Sequence, residues 1–199
     1  MIKRLIVAIV NFASSRIPFV NKLLWDYEYS HGQWDFLRNK EMQRIRAAKE
    51  LLKKNVQNGN ILEVGCGEGV FFKNILDINF GFYEGIDVSK VAINKIIKTE
   101  NSIFFNADME RHIPQNAPFS VIIFNEVLYY SKNPLKLLLK YRGFQKKNGV
   151  FLIGMYNTPT SNHIWNEIDH HFIVRESIEV IQDEKNWSYK IIGELKKKA

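Results

Sequence analysis

Between Glu63 and Gly69 the chain reads Glu-Val-Gly-Cys-Gly-Glu-Gly, and two more acids, Asp87 and Asp108, follow in short polar breaks. Gly65, Gly67 and Gly69 let a backbone turn sharply and approach a ligand with no Cβ in the way. The next helix would point its free N–H groups at that ligand. A dinucleotide fingerprint has its third glycine one residue later, and Glu63, two residues before the first glycine, would repel a pyrophosphate. A carboxylate there suits an ammonium group. Asp87 comes 20 residues after Gly67, where a carboxylate can take both hydroxyls of a ribose. Its other reading is an N-cap for a helix starting near Ser89. Asp108 can accept from an adenine amino group, or be an ordinary loop residue.

These acids need a scaffold that brings three strand ends together. From Asn60 onward, β-rich runs alternate with helical ones, the pattern of a parallel sheet built from βαβ units. The expected strands are 61–64, 83–86, 103–106, 121–124 and 150–155, with a last one at 187–192. Helices are expected at 39–54, 70–78, 90–99, 134–146 and 175–184. The fold class is therefore α/β, a Rossmann-like doubly wound, mostly parallel sheet with an N-terminal helical extension. Residues 1–38 form the extension or lid, and 39–199 the binding domain.

The motifs ILEVGCGEG at 61–69, GIDVS at 85–89, NAD at 106–108 and FNEVLYY at 124–130 resemble those of class I S-adenosylmethionine-dependent methyltransferases. The resemblance spans roughly residues 40 to 195. It implies S-adenosylmethionine as cofactor and S-adenosylhomocysteine as product. By the same resemblance, Glu63, Gly65, Cys66 and Gly67 surround the methionine end, Asp87 and Val88 the ribose, and Asp108 and Met109 the adenine. Asn125 lies beside the cofactor. Trp34 and Arg44 would close over it, with Arg44 pairing its carboxylate; a solvated helix face is the alternative for Arg44. The FNEVLYY stretch is similar to bacterial small-molecule and saccharide methyltransferases, the nodulation N-methyltransferases among them.

On the acceptor side, Glu126, His170 and His171 are the candidate bases. The two histidines are expected in a loop returning over the cleft after the fifth strand. Tyr129 and Tyr130 are candidate pocket walls. No His, Cys, Asp or Glu set has metal-ligand spacing, and Cys66 reads as a packing residue. The lone cysteine excludes an intrachain disulfide and suits a cytoplasmic setting.

The net charge of +7 raises nucleic acid as a partner. Against an RNA or DNA methylase, Asn125-Glu126-Val127-Leu128 lacks the Asn-Pro-Pro-aromatic sequence of base-amino methylases. A non-catalytic cofactor-binding protein is the remaining alternative. Residues 1–25 hold Lys3, Arg4, Arg16 and Lys22 but no acid. Their apolar run is too short to span a bilayer. An interfacial helix over 2–17, ended or kinked at Pro18, would give a peripheral contact with the inner face of the membrane. A helix docked on its own domain is the competing reading.

Overall fold

The computed structural model describes residues 18–38, 40, 42–56 and 58–197. The helix expected over 2–17 lies outside them. Helix α1 (Pro18–Ser30) starts at the proline expected to end or kink a helix, a position where the missing N–H costs nothing. A 3₁₀ turn at Asp35–Arg38 follows, then α2 (Met42–Val56). The sheet and its crossovers run β1 (Ile61–Val64), α3 (Val70–Asn74), β2 (Tyr83–Asp87), α4 (Lys90–Asn94), β3 (Ser102–Asn106) and β4 (Phe119–Asn125). After a 3₁₀ turn at Leu128–Tyr130 come α5 (Pro134–Arg142), β5 (Gln145–Tyr156), α6 (Pro159–His171), β6 (Phe172–Gln182) and β7 (Lys185–Leu195).

The seven strands lie in the order β3-β2-β1-β4-β5-β7-β6. The first five are parallel; β7 runs antiparallel to both β5 and β6. Alternation along the central strands feeds two cores. Ile61, Val121, Ile123 and Leu152 pack with Ile45, Leu52, Phe71 and Phe72 of α2 and α3. Leu62, Val64, Phe124 and Ile153 pack with Leu138, Tyr141, Ile164 and Trp165 of α5 and α6. Strands covered on both faces read as near-continuous apolar runs, as Val121–Phe124 of β4 does, while in β1 the run is broken by the buried Glu63.

The second half departs from expectation. The segment expected as a helix at 175–184 belongs to β6 up to Gln182, with Asp183 and Glu184 making the turn to β7. Its glutamates and glutamine favour a helix, but exposure alternates along it, and pairing with β7 overrides the weaker local preference. Helix α5 stops at Gly143, and Asn148-Gly149, expected as its stop, instead lies inside β5, with Asn148 at φ 64°. Helices α3 and α4 are one turn each, shorter than expected. His170 and His171 are not in a loop over the cleft: they end α6, a helix absent from the expected set.

Candidate active site

The turn after β1 is tied to its neighbour strand by two bonds: the Gly65 and Cys66 N–H groups both donate to the Ile86 carbonyl, at 2.8 and 2.9 Å. Gly65 and Gly67 take left-handed φ values of 75° and 54°. A Cβ on Gly65 would sit 2.4 Å from a Val127 methyl, and one on Gly67 2.6 Å from the Tyr29 hydroxyl. Glycine is thus required by conformation and by space.

Asp87 fastens this turn from the next strand. Its Oδ2 accepts from Gly67 N–H at 2.9 Å and its Oδ1 from Ser89 N–H at 2.8 Å. The cap of α4 is Ser89, whose Oγ accepts from Ala92 N–H at 3.1 Å. Asp87 is therefore not spent as the cap, and each of its oxygens keeps a second lone pair. Burial pushes its carboxyl up to about 6 against the pull of the Ser89 and Gly67 N–H groups, and the Asp26 charge adds to the rise. Glu63 is buried and accepts from the Tyr83 hydroxyl. Burial lifts its carboxyl to about 8, with Tyr83 opposing and Asp87 adding. Burial also pushes the Cys66 thiol well above its ordinary value, which leaves no thiolate nucleophile at neutral pH.

Asp108 follows β3 on the same cavity wall, where its Oδ1 accepts from Glu110 N–H at 2.8 Å. Its loop is held from behind. Lys140 Nζ donates to the carbonyls of Glu110 and His112 at 3.0 and 2.7 Å, and the Tyr141 hydroxyl to that of Met109 at 3.0 Å. His112 is committed elsewhere, 2.9 Å from the fully buried Glu84 carboxylate.

Helix α1 covers this side. Asp26 Oδ1 accepts from Ser89 Oγ at 2.7 Å and Val91 N–H at 3.1 Å, while Lys95 Nζ donates to the Tyr29 carbonyl at 2.7 Å. Trp34 donates to Glu28 at 3.1 Å and stands 5.6 Å from Trp25, ring centre to ring centre. Sequence reasoning singled out Trp34 but missed Trp25 and Asp26. The visible signal was the acidic, aromatic Trp25–Tyr29 run at the end of an otherwise basic segment.

One cavity of about 520 Å³ collects these groups. All the residues expected to hold cofactor line it: Trp34, Arg44, Glu63, Gly65, Cys66, Gly67, Asp87, Val88, Asp108, Met109 and Asn125. Glu126, Tyr129 and Tyr130 line it too, with Trp25, Phe36, Tyr156 and Trp187. Arg44 is not on a solvated face; it is 4% exposed, with its guanidinium 5.9 Å from the Trp187 ring centre. Glu126 takes a left-handed φ of 60°, its N–H donating to the Gly154 carbonyl at 2.8 Å. Burial raises its carboxyl; the Arg44 charge and donors including Trp187 and Tyr129 pull the other way. His170 and His171 do not line the cavity: α6 packs on the sheet face through Ile164, Trp165 and Ile168, and His171 Nδ1 lies 2.9 Å from the Glu167 carbonyl. Among the described residues, no group of His, Cys, Asp and Glu could hold a metal ion.

Residues 35–189 match the methyltransferase-domain family. Among curated relatives, malonyl-(acyl-carrier protein) O-methyltransferase 2 of Ilyobacter polytropus is 30% identical over 145 residues, which is 69% of this chain and 52% of the relative. The chain thus spans about half the length of that relative. The N-methyltransferase NodS of Bradyrhizobium japonicum WM9, solved with S-adenosylhomocysteine, superposes with a TM-score of 0.68 at 15% identity, covering 87% of this chain and 97% of that one. The 1,6-didemethyltoxoflavin-N1-methyltransferase of Burkholderia thailandensis, solved with its namesake ligand and S-adenosylhomocysteine, gives 0.72 at 13% identity, covering 92% and 89%. The chain belongs to the methyltransferase-domain family, and it shares the class I fold of these neighbours solved with S-adenosylhomocysteine.

Proposed function

We propose that the chain transfers a methyl group from S-adenosylmethionine to an N–H or O–H group of a small molecule, with Glu126 taking the displaced proton. One observation carries this reading: the glycine turn, Asp87, Asp108 and Glu126 all face a single cavity at the carboxyl ends of the parallel strands, the usual binding side of such sheets. The residues fit the cofactor. Side chains at 65 and 67 would fill the cradle, Asp87 keeps lone pairs for two ribose hydroxyls, and Glu63, its carboxyl lifted to about 8 in the free protein, would ionise opposite an ammonium group.

Bound there, the cofactor supplies a methyl carbon on a positively charged sulfur, open to in-line displacement. The protein's share is orientation, which can supply about 7–11 kcal/mol of the barrier, and a base worth roughly 10²- to 10⁴-fold. Burial raises the carboxyl of Glu126, which strengthens the carboxylate as a base. Helix α1 and Trp34 act as a lid that excludes water, consistent with the division into a 1–38 extension and a 39–199 domain. Arg44 would meet either the cofactor carboxylate or the acceptor.

A saccharide acceptor is the second reading, favoured by the FNEVLYY similarity. The proposal includes a cytoplasmic setting and a membrane contact through residues 1–25. No helix among the described residues is long and apolar enough to cross a membrane. The test is transfer of labelled methyl groups from S-adenosylmethionine into a cell extract, then identification of the product. A labelled small molecule supports the proposal. Full S-adenosylhomocysteine binding with no transfer to any acceptor would refute it in favour of a non-catalytic binding protein.

A further inference from the structure

We infer that the acceptor half of the cavity takes a flat aromatic or heteroaromatic ring carrying a single N–H or O–H group, which is presented to Glu126 Oε1. This rests on the methyl-transfer reading above and names its substrate class. The first observation is Glu126 itself. A left-handed φ is unfavourable for a residue with a Cβ, and the surrounding structure holds Glu126 there at φ 60°. Its Oε2 accepts from the Tyr129 hydroxyl at 3.3 Å, whereas its Oε1 is buried and completes no hydrogen bond, although the Tyr156 and Trp187 N–H groups lie close enough to influence the carboxyl. A buried polar atom of this kind calls for a donor, and the cavity is where one can arrive.

The second observation is the wall. Trp25 and Tyr130 meet edge to face at 5.1 Å, and Tyr156 and Trp187 at 5.5 Å. These rings come from α1, the 3₁₀ turn after β4, and the β5–β7 pair, and all line the one cavity. Such walls stack on flat rings. A sugar would bring several hydroxyls into the same space, and each one buried without a partner is unfavourable. A carboxylate acceptor would place negative charge against Glu126, whose own charge already engages Arg44. A flat ring with one donor satisfies Oε1 and leaves nothing unpaired.

The step balances. The acceptor's N or O lone pair forms the new bond to the methyl carbon as the carbon–sulfur bond breaks. That electron pair stays on sulfur, leaving a neutral thioether, and the acceptor's proton passes to Glu126 Oε1.

The test is calorimetry on the full chain loaded with S-adenosylhomocysteine. The probes are 4-nitrophenol (O–H) and benzimidazole (N–H), against glucosamine and malonate. At least one aromatic probe should bind about 10-fold tighter or more than either non-aromatic one. Glu126→Gln and Tyr130→Ala should each weaken it by about 10-fold, with S-adenosylhomocysteine affinity as the fold control. Tighter binding of glucosamine or malonate overturns the inference, as does an aromatic affinity unchanged in both variants. No binding of either aromatic probe by a chain that holds S-adenosylhomocysteine overturns it while the methyl-transfer reading stands. A chain that does not bind S-adenosylhomocysteine overturns both.

Discussion

Replacing Asp87 tests the cofactor site most directly, because this carboxylate does two jobs. Toward the protein it accepts from Gly67 N–H and Ser89 N–H, at 2.9 and 2.8 Å. Toward the cofactor its remaining lone pairs would take the ribose hydroxyls. A hydrogen bond to a charged group contributes about 1.5–3 kcal/mol. Losing one ribose bond therefore weakens binding by about 10- to 150-fold, and loosening the Gly67 turn adds to this. In Asp87→Ala both N–H groups lose their acceptor. In Asp87→Asn one of them meets an NH₂ instead, so the amide is no safe substitute. Both variants should bind S-adenosylhomocysteine at least about 10-fold more weakly by calorimetry, with thermal melts separating loss of the site from loss of the fold.

The pH dependence follows from the same residue. The carboxyl sits at about 6 in the free protein, above the usual value, and protonation removes acceptor capacity. Affinity should be highest above that pH and fall as pH drops through it. Asp26→Asn keeps an oxygen for Ser89 and Val91 but removes the charge that helps raise Asp87, so the fall should move to lower pH. Full-strength binding in both Asp87→Ala and Gly67→Val would refute the assignment, and a flat wild-type profile from about pH 5 to 8 would refute the electrostatic part.

Three more outcomes are expected. Glu126→Gln should lower single-turnover rates on an N–H or O–H acceptor by roughly 10²- to 10⁴-fold while S-adenosylhomocysteine still binds; the wild-type rate should fall with decreasing pH at a point above the ordinary glutamate range, because the base must be ionised and its carboxyl is raised. Asp26→Ala removes the acceptor that ties α1 to Ser89 and Val91, so S-adenosylhomocysteine should dissociate several-fold faster in stopped-flow displacement, with a smaller change in association. If residues 2–17 lie on a membrane, the full chain should co-sediment with anionic vesicles more strongly than one lacking 1–17, by about 1 kcal/mol per basic residue near the surface; equal partitioning would favour a helix docked on its own domain.

The first half of the site could be read from the sequence because its geometry follows from topology. Strands β1 to β4 each carry a short β-branched or aromatic run that announces them, even where Glu63, Glu84 or Ser102 interrupts the apolar pattern. The residues at or just past their ends, Gly65, Asp87, Asp108 and Asn125, must then share one edge of the sheet. The acceptor side has no such rule. Arg44 reads as a polar position on an amphipathic helix, and groups distant in sequence, Trp187 of the last strand among them, cover it. Nothing local in Phe124-Asn125-Glu126 signals a left-handed glutamate; that turn exists because Glu126 N–H is held by Gly154 on β5. The histidine assignment failed for a related reason. Asn157-Thr158-Pro159 was a helix start in plain view, with a capping box from Thr158 to Ser161, and reading it would have placed His170 and His171 at a helix end.

This division has a consequence for how acceptor choice can change. Glu126 is supported by Gly154 of β5 and by Trp187 of β7, and Asn125 accepts from Tyr189 of β7 at 3.0 Å. Gly154 itself lies under the Tyr189 ring, where an added Cβ would come within 2.1 Å of the ring edge. The antiparallel β5–β7 pair thus sets the position of the groups that face the acceptor, while the Gly65–Gly67 turn and Asp87 are set mainly by β2, Ser89, Val127 and the α1 residues Asp26 and Tyr29. Residues that couple through one packed network do not act additively, whereas distant ones do. Substitutions along β7 should therefore shift Glu126 and the aromatic wall together, changing which acceptor is used, and alter cofactor affinity less, through Asn125 and Arg44 only.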